Sequence, residues 1–243
     1  MGQLEGKIAL ITGAGSGIGK GIARAFAKEG ANLVLASRNK ENLEATATEL
    51  QAQGGTVLVI PTDVTNEAQV VALFEQTRQA FGRLDILVNN SGAFDGGPLE
   101  ALSLEIWQKV IEVNLTGPFL CTREALKIMK AQGGGRIINI GSISAQMPRL
   151  NSAPYTASKY GLVGLTRTTA LEGRAFGIAA SCLHPGNTAT EHRAASDKAE
   201  DQEPMMTVDD LAMTVVTMAA LPAYANMLEA IVLPVEQLYL GRG

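Results

Sequence analysis

The sequence predicts an α/β protein with a doubly wound, mostly seven-stranded parallel sheet and helices on both faces. Short β-branched apolar runs alternate with stretches whose apolar residues recur at helical spacing, which is typical of parallel strands joined by helices. Strands are expected near residues 7–12, 32–37, 56–60, 84–88, 136–140, 178–183 and 229–233. The chain has 243 residues, 46% of them hydrophobic, with no linker or repeat, so we expect a single domain over residues 1–243.

Composition and charge argue against two classes of partner. The formal net charge is -4 at pH 7 and the basic residues form no cluster, so no nucleic-acid partner is predicted. No apolar run reaches the roughly 18 residues of a membrane-spanning helix. The N-terminal MGQLEGKIALITG lacks the charged start and cleavage site of a signal peptide. We therefore expect a cytoplasmic protein with no membrane partner.

The cysteines and histidines predict no metal site. Cys121 and Cys182 each lie in an apolar segment, where buried, reduced thiols are expected rather than a disulfide or a nucleophile. His184 and His192 do not combine with them at any metal-ligand spacing. We expect His184 to serve a strand end and His192 to be solvated, with a substrate contact as the alternative for His192.

The first strand leads directly into a glycine-rich loop and a helix. The apolar run KIALIT opens into GAGSGIGKGIARAF, where apolar residues recur at helical spacing. Such a loop lets the backbone approach a pyrophosphate closely and points the helix N-terminus at it. The widespread G-x-G-x-x-G pattern fails, because its third glycine would fall at Ile18 or Lys20. The glycines instead follow the spacing Thr12-Gly13-x-x-x-Gly17-x-Gly19.

Three polar residues are candidates for carbonyl chemistry. Tyr155 and Lys159 are four residues apart and share one face of a predicted helix, while Ser142 stands thirteen positions before the tyrosine, after the strand RIINI. A fixed positive charge favours the phenolate form of a tyrosine, whose proton then exchanges more readily near neutral pH. A serine hydroxyl beside them can hold the oxygen of a carbonyl or an alcohol. Together they predict a proton-transfer site.

These motifs combine with others further along the chain. The glycine spacing, Asn89-Asn90-Ser91-Gly92 after LDILV, Asn114 in IEVNLTG, the serine, tyrosine and lysine trio, and His184-Pro185-Gly186 after IAASCL together resemble the short-chain dehydrogenase/reductase family, in its compact single-domain branch. The resemblance extends from about residue 5 to about residue 220. It implies a Rossmann-like fold and hydride transfer between a nicotinamide cofactor and a carbonyl or secondary alcohol.

The resemblance assigns catalytic roles to four residues. Tyr155 would act as general acid or base, Ser142 would polarise the substrate oxygen, and Lys159 would support the tyrosine and bind the nicotinamide ribose. Asn114 would hold a water that passes protons to the lysine; the alternative is a helix-interior asparagine that satisfies a backbone group. Ser144 competes with Ser142 for the catalytic place, but the thirteen-residue offset to Tyr155 favours Ser142.

The resemblance also implies a set of cofactor-binding residues. Asp63 and Val64 would face the adenine, and the alternative role of Asp63 is to cap the following helix. Ser91 replaces the alanine usual in the family, and Thr188 stands where the family often has an apolar residue. The full predicted set is Gly13, Ser16, Gly17, Ile18, Gly19, Ser37, Arg38, Asp63, Val64, Asn90, Gly92, Tyr155, Lys159, Pro185, Gly186, Thr188 and Thr190.

Ser37 and Arg38, at the end of the second strand, predict NADP rather than NAD. An acidic residue at this place hydrogen-bonds the adenine ribose hydroxyls and selects NAD, but this chain has the neutral Ser37. The planar guanidinium of Arg38 can engage a 2′-phosphate through two charge-assisted hydrogen bonds. The alternative is that Arg38 begins the next helix in solvent, in which case the same chemistry would use NAD(H).

Two further segments carry expectations. The charged stretch within residues 190–204 is predicted to be a mobile lid over the substrate, with a disordered surface loop as the alternative. At the C-terminus many relatives end a strand in Val-Asp-Gly-Gly, whereas this chain has EAIVLPVEQLYLGRG, with Pro234 closing the strand early. A homo-oligomer, either a tetramer or a dimer, is expected, and the departure leaves its interface open.

The predicted function is hydride transfer to or from a small-molecule carbonyl or alcohol. The chain is similar to oxoacyl-thioester reductases, and sugars, steroids and small ketones remain alternative substrates. The pocket is expected to have an apolar bias from Phe94, Ile143, Gln146, Met147 and Leu150. The alternative function is a non-catalytic dinucleotide-sensing regulator or scaffold, a class expected to lose the tyrosine, lysine or serine that this chain retains.

Overall fold

The computed structural model describes residues 2–191 and 203–239. Its main strands are β1 Ile8–Thr12, β2 Asn32–Ser37, β3 Val57–Pro61, β4 Ile86–Asn89, β5 Gly135–Ile140, β6 Ile178–Pro185 and β9 Glu229–Val232. They form one sheet in the order β3-β2-β1-β4-β5-β6-β9, with all neighbours parallel. The short strands β7 (Thr188–Ala189) and β8 (Met206–Thr207) pair outside this sheet.

The predicted doubly wound sheet is confirmed, and no strand boundary differs from its prediction by more than two residues. The sheet order reverses between β1 and β4, the topological switch point at which open α/β sheets bind ligands. β9 stops at Val232, two residues before Pro234, because proline has no N–H for a further ladder bond. The strands β7 and β8 were not predicted, since two residues give no periodic signal.

Seven α-helices connect or flank the strands in the described ranges: α1 Gly17–Lys28, α2 Lys40–Gln51, α3 Glu67–Phe81, α4 Leu104–Ile111, α5 Gly117–Gln132, α6 Ala153–Gly173 and α7 Val208–Ala220. Short polar side chains begin four of them. Asn39, Asn66, Ser103 and Thr207 each accept a hydrogen bond from a backbone N–H in the first turn of α2, α3, α4 and α7, respectively. Such caps satisfy the donors that a helix start leaves unpaired.

The sheet separates two apolar cores. Ala9 and Ile11 of β1 face one core with α1, α2 and α7, while Ile8 and Leu10 face the other with α3 and α5. The strand is therefore buried on both sides, which is why it is a continuous apolar run in the sequence. Cys121 is buried in the second core.

The cysteines, the membrane-spanning helices and the lid are three further subjects of prediction. Cys121 and Cys182 are both buried and unpaired, and burial raises the pKa of their thiols to about 12 and about 11. Across residues 2–191 and 203–239, no helix has the length and apolar character needed to cross a membrane. Most of the predicted lid, including His192, lies outside the described residues, so that prediction stays a prediction.

Candidate active site

A cleft of about 830 Å³ lies at the carboxyl ends of β1 to β4. Eleven residues of the predicted cofactor set line it: Gly13, Ser16, Gly17, Ile18, Ser37, Arg38, Asp63, Val64, Asn90, Gly92 and Thr190. Eight more residues line it that are not in the predicted cofactor set: Gly15, Asn39, Glu41, Asn42, Thr62, Ser91, Val113 and Glu191. Residues from six separate segments of the chain thus converge on one space of the size that holds a small molecule.

The glycine loop is held in shape by β1, β2 and β4. Gly13 has a φ of 67°, a left-handed conformation that favours glycine, and its N–H donates to Ala36 at 2.7 Å. The Asn90 side-chain amide donates to the carbonyls of Thr12 and Gly13 at 3.0 and 3.2 Å. A Cβ on Gly19 would overlap the Gly13 carbonyl and the Asn90 amide. Gly19 therefore allows α1 to pack behind the loop, while Gly13 and Gly17 line the cleft.

Thr12 joins the glycine loop to the loop after β4. Its hydroxyl oxygen accepts hydrogen bonds from the backbone N–H groups of Asn90 and Ser91 at 3.0 and 3.1 Å. The hydroxyl donates in turn to the Val88 carbonyl at 3.4 Å. This single side chain fixes both walls of the cleft relative to each other.

The end of the cleft at β2 and β3 contains Ser37, Arg38 and Asp63. Arg38 is exposed and forms no ion pair within the described ranges, so its guanidinium is free to turn into the cleft. Asp63 accepts hydrogen bonds from the N–H and hydroxyl of Thr65 at 3.0 and 2.8 Å. The cap of α3 is Asn66, so the alternative role considered for Asp63, capping that helix, is not the one observed.

Tyr155 and Lys159 share one face of α6, beside the end of β5. The Lys159 side chain is buried, with 5% of the residue exposed, and its Nζ donates to the Ile140 carbonyl at 2.8 Å. The same Nζ lies 5.5 Å from the centre of the Tyr155 ring. Phe94 packs edge-on against that ring, with centroids 5.1 Å apart. An ammonium has three donors; residues 2–191 and 203–239 provide an acceptor for one of them, which leaves two for groups that enter the site.

Ser142 follows β5 and carries a hydroxyl that can donate. Its Oγ accepts a hydrogen bond from the Ser144 N–H at 3.1 Å, and the hydroxyl finds no acceptor in the part of the chain that the structure describes. The Ser142 proton is thus available to a substrate oxygen. Ser144 is buried, and its N–H is occupied by the Ser142 hydroxyl oxygen.

Asn114 lies in a π-helical turn, Glu112–Thr116, between α4 and α5. Its side chain accepts from the Ala93 N–H at 2.7 Å and donates to the Ala93 carbonyl at 2.9 Å and to Ser158 Oγ at 3.2 Å. The side chain therefore satisfies backbone groups, as the alternative interpretation expected. Its main-chain carbonyl lacks the α-helical donor four residues on, because Pro118 has no N–H. π-Turns of this kind are frequent at functional sites.

Comparison with known proteins decides the family. A family model described as short chain dehydrogenase matches residues 7–201. The chain belongs to the short-chain dehydrogenase family. It is 44% identical over 192 residues to a short chain dehydrogenase/reductase of Aspergillus oryzae, covering 78% of this chain and 74% of that protein. It is 39% identical over 192 residues to a 3-oxoacyl-(acyl-carrier-protein) reductase of Synechocystis, covering 79% and 78%.

A solved structure agrees over almost the whole length. The crystal structure of an actinorhodin polyketide ketoreductase variant with NADPH matches with a TM-score of 0.87 and 32% identity, covering 96% of this chain and 98% of that one. This chain is therefore an oxidoreductase of a family that binds nicotinamide cofactors. Among the described residues, no three His, Cys, Asp or Glu side chains gather as a metal site would require.

The Glu191 carboxylate lies in the cleft at the start of α1. Glu191 Oε2 accepts a hydrogen bond from the Gly17 N–H at 2.9 Å. The pKa of Glu191 is lowered, first by a hydrogen bond from its own backbone N–H, against partial burial, and then by the Gly17 N–H and the charges of Lys20 and Arg24. A helix N-terminus favours an anion. The Glu191 carboxylate therefore occupies a place where a cofactor phosphate would also accept a hydrogen bond from the Gly17 N–H.

The C-terminal segment braces the loop after β6. The Gly186 N–H donates to Val232 at 2.8 Å, the Asn187 N–H donates to Gln237 Oε1 at 2.8 Å, and Thr188 Oγ1 donates back to the Gly186 carbonyl at 3.2 Å. Pro185, Gly186 and Thr188 are not among the residues that line the cleft, whereas Thr190 is. The contact of Glu191 and the brace from Gln237 leave no periodic or motif signal in the sequence.

Proposed function

We propose that this short-chain dehydrogenase transfers a hydride between NADP(H) and a carbonyl or secondary alcohol, with Tyr155 as general acid and base. The observation that carries the proposal is the buried Lys159 ammonium, 5.5 Å from the Tyr155 ring centre, with two donors left over. A buried ammonium with a single carbonyl partner is costly. That cost is offset when a phenolate or a cofactor hydroxyl accepts from it.

The cleft fits a dinucleotide on its own geometry. The glycine loop exposes the first N–H groups of α1 to the cleft, and one of them already holds the Glu191 carboxylate. The residues that would hold the phosphates are Ser16, Gly17 and Ile18, while Asp63 and Val64 would face the adenine. When bound, the nicotinamide supplies the hydride to the carbonyl carbon.

The residues of this chain handle the proton. In reduction, Tyr155 donates its hydroxyl proton to the substrate oxygen, and the Ser142 hydroxyl donates a hydrogen bond to the same oxygen. The phenolate that remains is stabilised by the Lys159 ammonium. A water held on the Asn114 main-chain carbonyl then returns a proton through Lys159. Carbon gains the hydride, oxygen gains the proton, and oxidation reverses both steps.

The cofactor is proposed to be NADP because Ser37 offers no carboxylate to the ribose and Arg38 is unpaired in the described chain. The similarity to a ketoreductase solved with NADPH and to the Synechocystis reductase supports the choice of NADP over NAD. Phe94 is 64% exposed beside Tyr155, which favours a substrate with an apolar portion. An oxoacyl thioester and other ketones with an apolar chain have that character.

One assay separates this function from the alternative of a dinucleotide sensor. Purified protein is mixed with NADPH and a panel of oxoacyl thioesters, cyclic ketones and aliphatic ketones, and the oxidation of NADPH is followed. Turnover of at least one ketone is expected. Tight NADPH binding with no oxidation across the panel, and no reduction of NADP by the matching alcohols, would support the sensor instead.

A further inference from the structure

His184 is a buried histidine that the proposed proton transfer does not use. It lies on β6 with none of its surface exposed, and its Nδ1 is 2.8 Å from the Ser142 carbonyl oxygen and 3.3 Å from the Ser142 nitrogen. A Cβ on Gly141 would come within 2.7 Å of that Nδ1. The glycine before Ser142 therefore lets the imidazole lie directly against the main chain of the serine turn.

The ring holds Ser142 in either neutral tautomer. With the proton on Nδ1, the ring donates to the Ser142 carbonyl; with the proton on Nε2, Nδ1 accepts from the Ser142 N–H. The second case directs the Nε2 proton towards Glu229, whose Oε1 lies 3.1 Å away. In the geometry observed, these two atoms approach without the alignment of a hydrogen bond. Both forms nevertheless fix the backbone position from which the Ser142 hydroxyl projects.

Glu229 connects this histidine to the other end of the serine turn. Its Oε1 accepts from the Gln146 side-chain amide at 3.1 Å, and its Oε2 accepts from Arg167 at 3.0 Å. Tyr239 donates a short hydrogen bond to the Gln146 side chain. Burial acts to raise the pKa of Glu229, but the hydrogen bond from Arg167, aided by the neighbouring groups, lowers it overall. The carboxylate is thus ionised and tied to residue 146, four residues after the serine.

We propose that His184, supported by Glu229, is a positioning residue that sets the place of the Ser142 hydroxyl for the reaction. The serine turn is held at Ser142 by the imidazole and at Gln146 by the carboxylate. Glu229 begins β9, the edge strand that ends before Pro234, so the C-terminal part of the chain supplies this support. The inference rests on the proposed function, since it gives Ser142 a catalytic hydroxyl.

The test is a double-mutant cycle between His184 and Ser142. His184→Gln keeps a polar group near Glu229 but loses the contact with Ser142, and we expect kcat to fall by roughly 10- to 100-fold, the usual cost of losing an orienting partner. In a Ser142→Ala background, which has no hydroxyl to place, the same change should alter kcat by less than about twofold. The Kd for NADPH should stay within about twofold throughout.

His184→Asn and Glu229→Gln provide two further tests, and Glu172→Gln provides a control. His184→Asn places an amide where Nδ1 stands, so it should retain kcat within about threefold of wild type. If His184→Gln does not fold, Glu229→Gln enters the same cycle, with an expected loss of about three- to tenfold that disappears in Ser142→Ala. Glu172→Gln, an exposed change on α6, is the matched control and should have no effect.

Failure of the positioning role of His184 and failure of the proposed function give different results. Equal losses in the presence and absence of the Ser142 hydroxyl, or no loss in either, would overturn the positioning role of His184. A Ser142→Ala variant with wild-type kcat would instead remove the serine from the proposed mechanism. Loss of NADPH binding along with activity would mark His184 as a structural residue only.

Discussion

Arg38, at the end of β2, is predicted to select NADPH over NADH. Arg38 is exposed on the cleft wall without an ion pair among the described residues. A hydrogen bond to a charged group contributes about 1.5 to 3 kcal/mol. Because Arg38 is open to solvent, the low end applies, and about 1.4 kcal/mol corresponds to a tenfold preference for NADPH over NADH in kcat/KM.

The perturbation is the pair Ser37→Asp and Arg38→Ala. The new carboxylate would stand at the ribose, where it accepts from the 2′-hydroxyl of NADH and repels a 2′-phosphate. The preference should therefore reverse, with NADH favoured in steady-state kcat/KM. Lys40→Ala is the control, because Lys40 is exposed, pairs with Glu44 at 3.4 Å and does not line the cleft. A wild-type enzyme that favours NADH, or a ratio of kcat/KM values that Arg38→Ala leaves unchanged, would show that Arg38 does not select the cofactor.

Three other variants test separate parts of the site. Gly19→Ala, whose Cβ would overlap the glycine loop, should weaken NADPH binding at least tenfold by titration, whereas Gly164→Ala, with open space at its Cβ, should raise the free energy of unfolding by about 0.5 to 1 kcal/mol. Lys159→Ala should lower kcat and weaken NADPH binding together, and a change in only one of these quantities would contradict its double role. Glu191→Gln should tighten NADPH binding about two- to fivefold, since a carboxylate at a helix N-terminus contributes about 0.3 to 1 kcal/mol. The same change at Glu172 should leave the Kd unaltered.

Local patterns in the sequence were enough to predict the sheet and much of the cleft. The strand β1 is apolar on both faces, and the glycine loop follows it without interruption, so the position of the cleft follows from parallel connectivity. Tyr155 and Lys159 needed only helical periodicity to be placed on one face. Each of these features depends on residues close together in the chain.

The remaining parts of the site depend on contacts between distant segments. Glu191 meets Gly17 across 174 positions, and His184 meets Glu229 only because β6 and β9 are neighbours in the sheet. The Asn114 side chain is hydrogen-bonded to the main chain of Ala93. A position in a helical pattern does not predict this partner. Burial and pairing of this kind are set by tertiary packing, which leaves no spacing rule in a single sequence.

Proton donation by Tyr155 is tested by the Tyr155→Phe variant, which removes the proposed donor and keeps the ring against Phe94. With the NADPH-linked ketone identified by the panel, single-turnover rates are compared for wild type, Tyr155→Phe and the control Tyr224→Phe, whose side chain is 93% exposed. The rate for Tyr155→Phe should fall by roughly 10² to 10⁴, with the NADPH Kd nearly unchanged and the control at wild-type rate. A Tyr155→Phe rate above about a tenth of wild type would contradict proton donation by Tyr155.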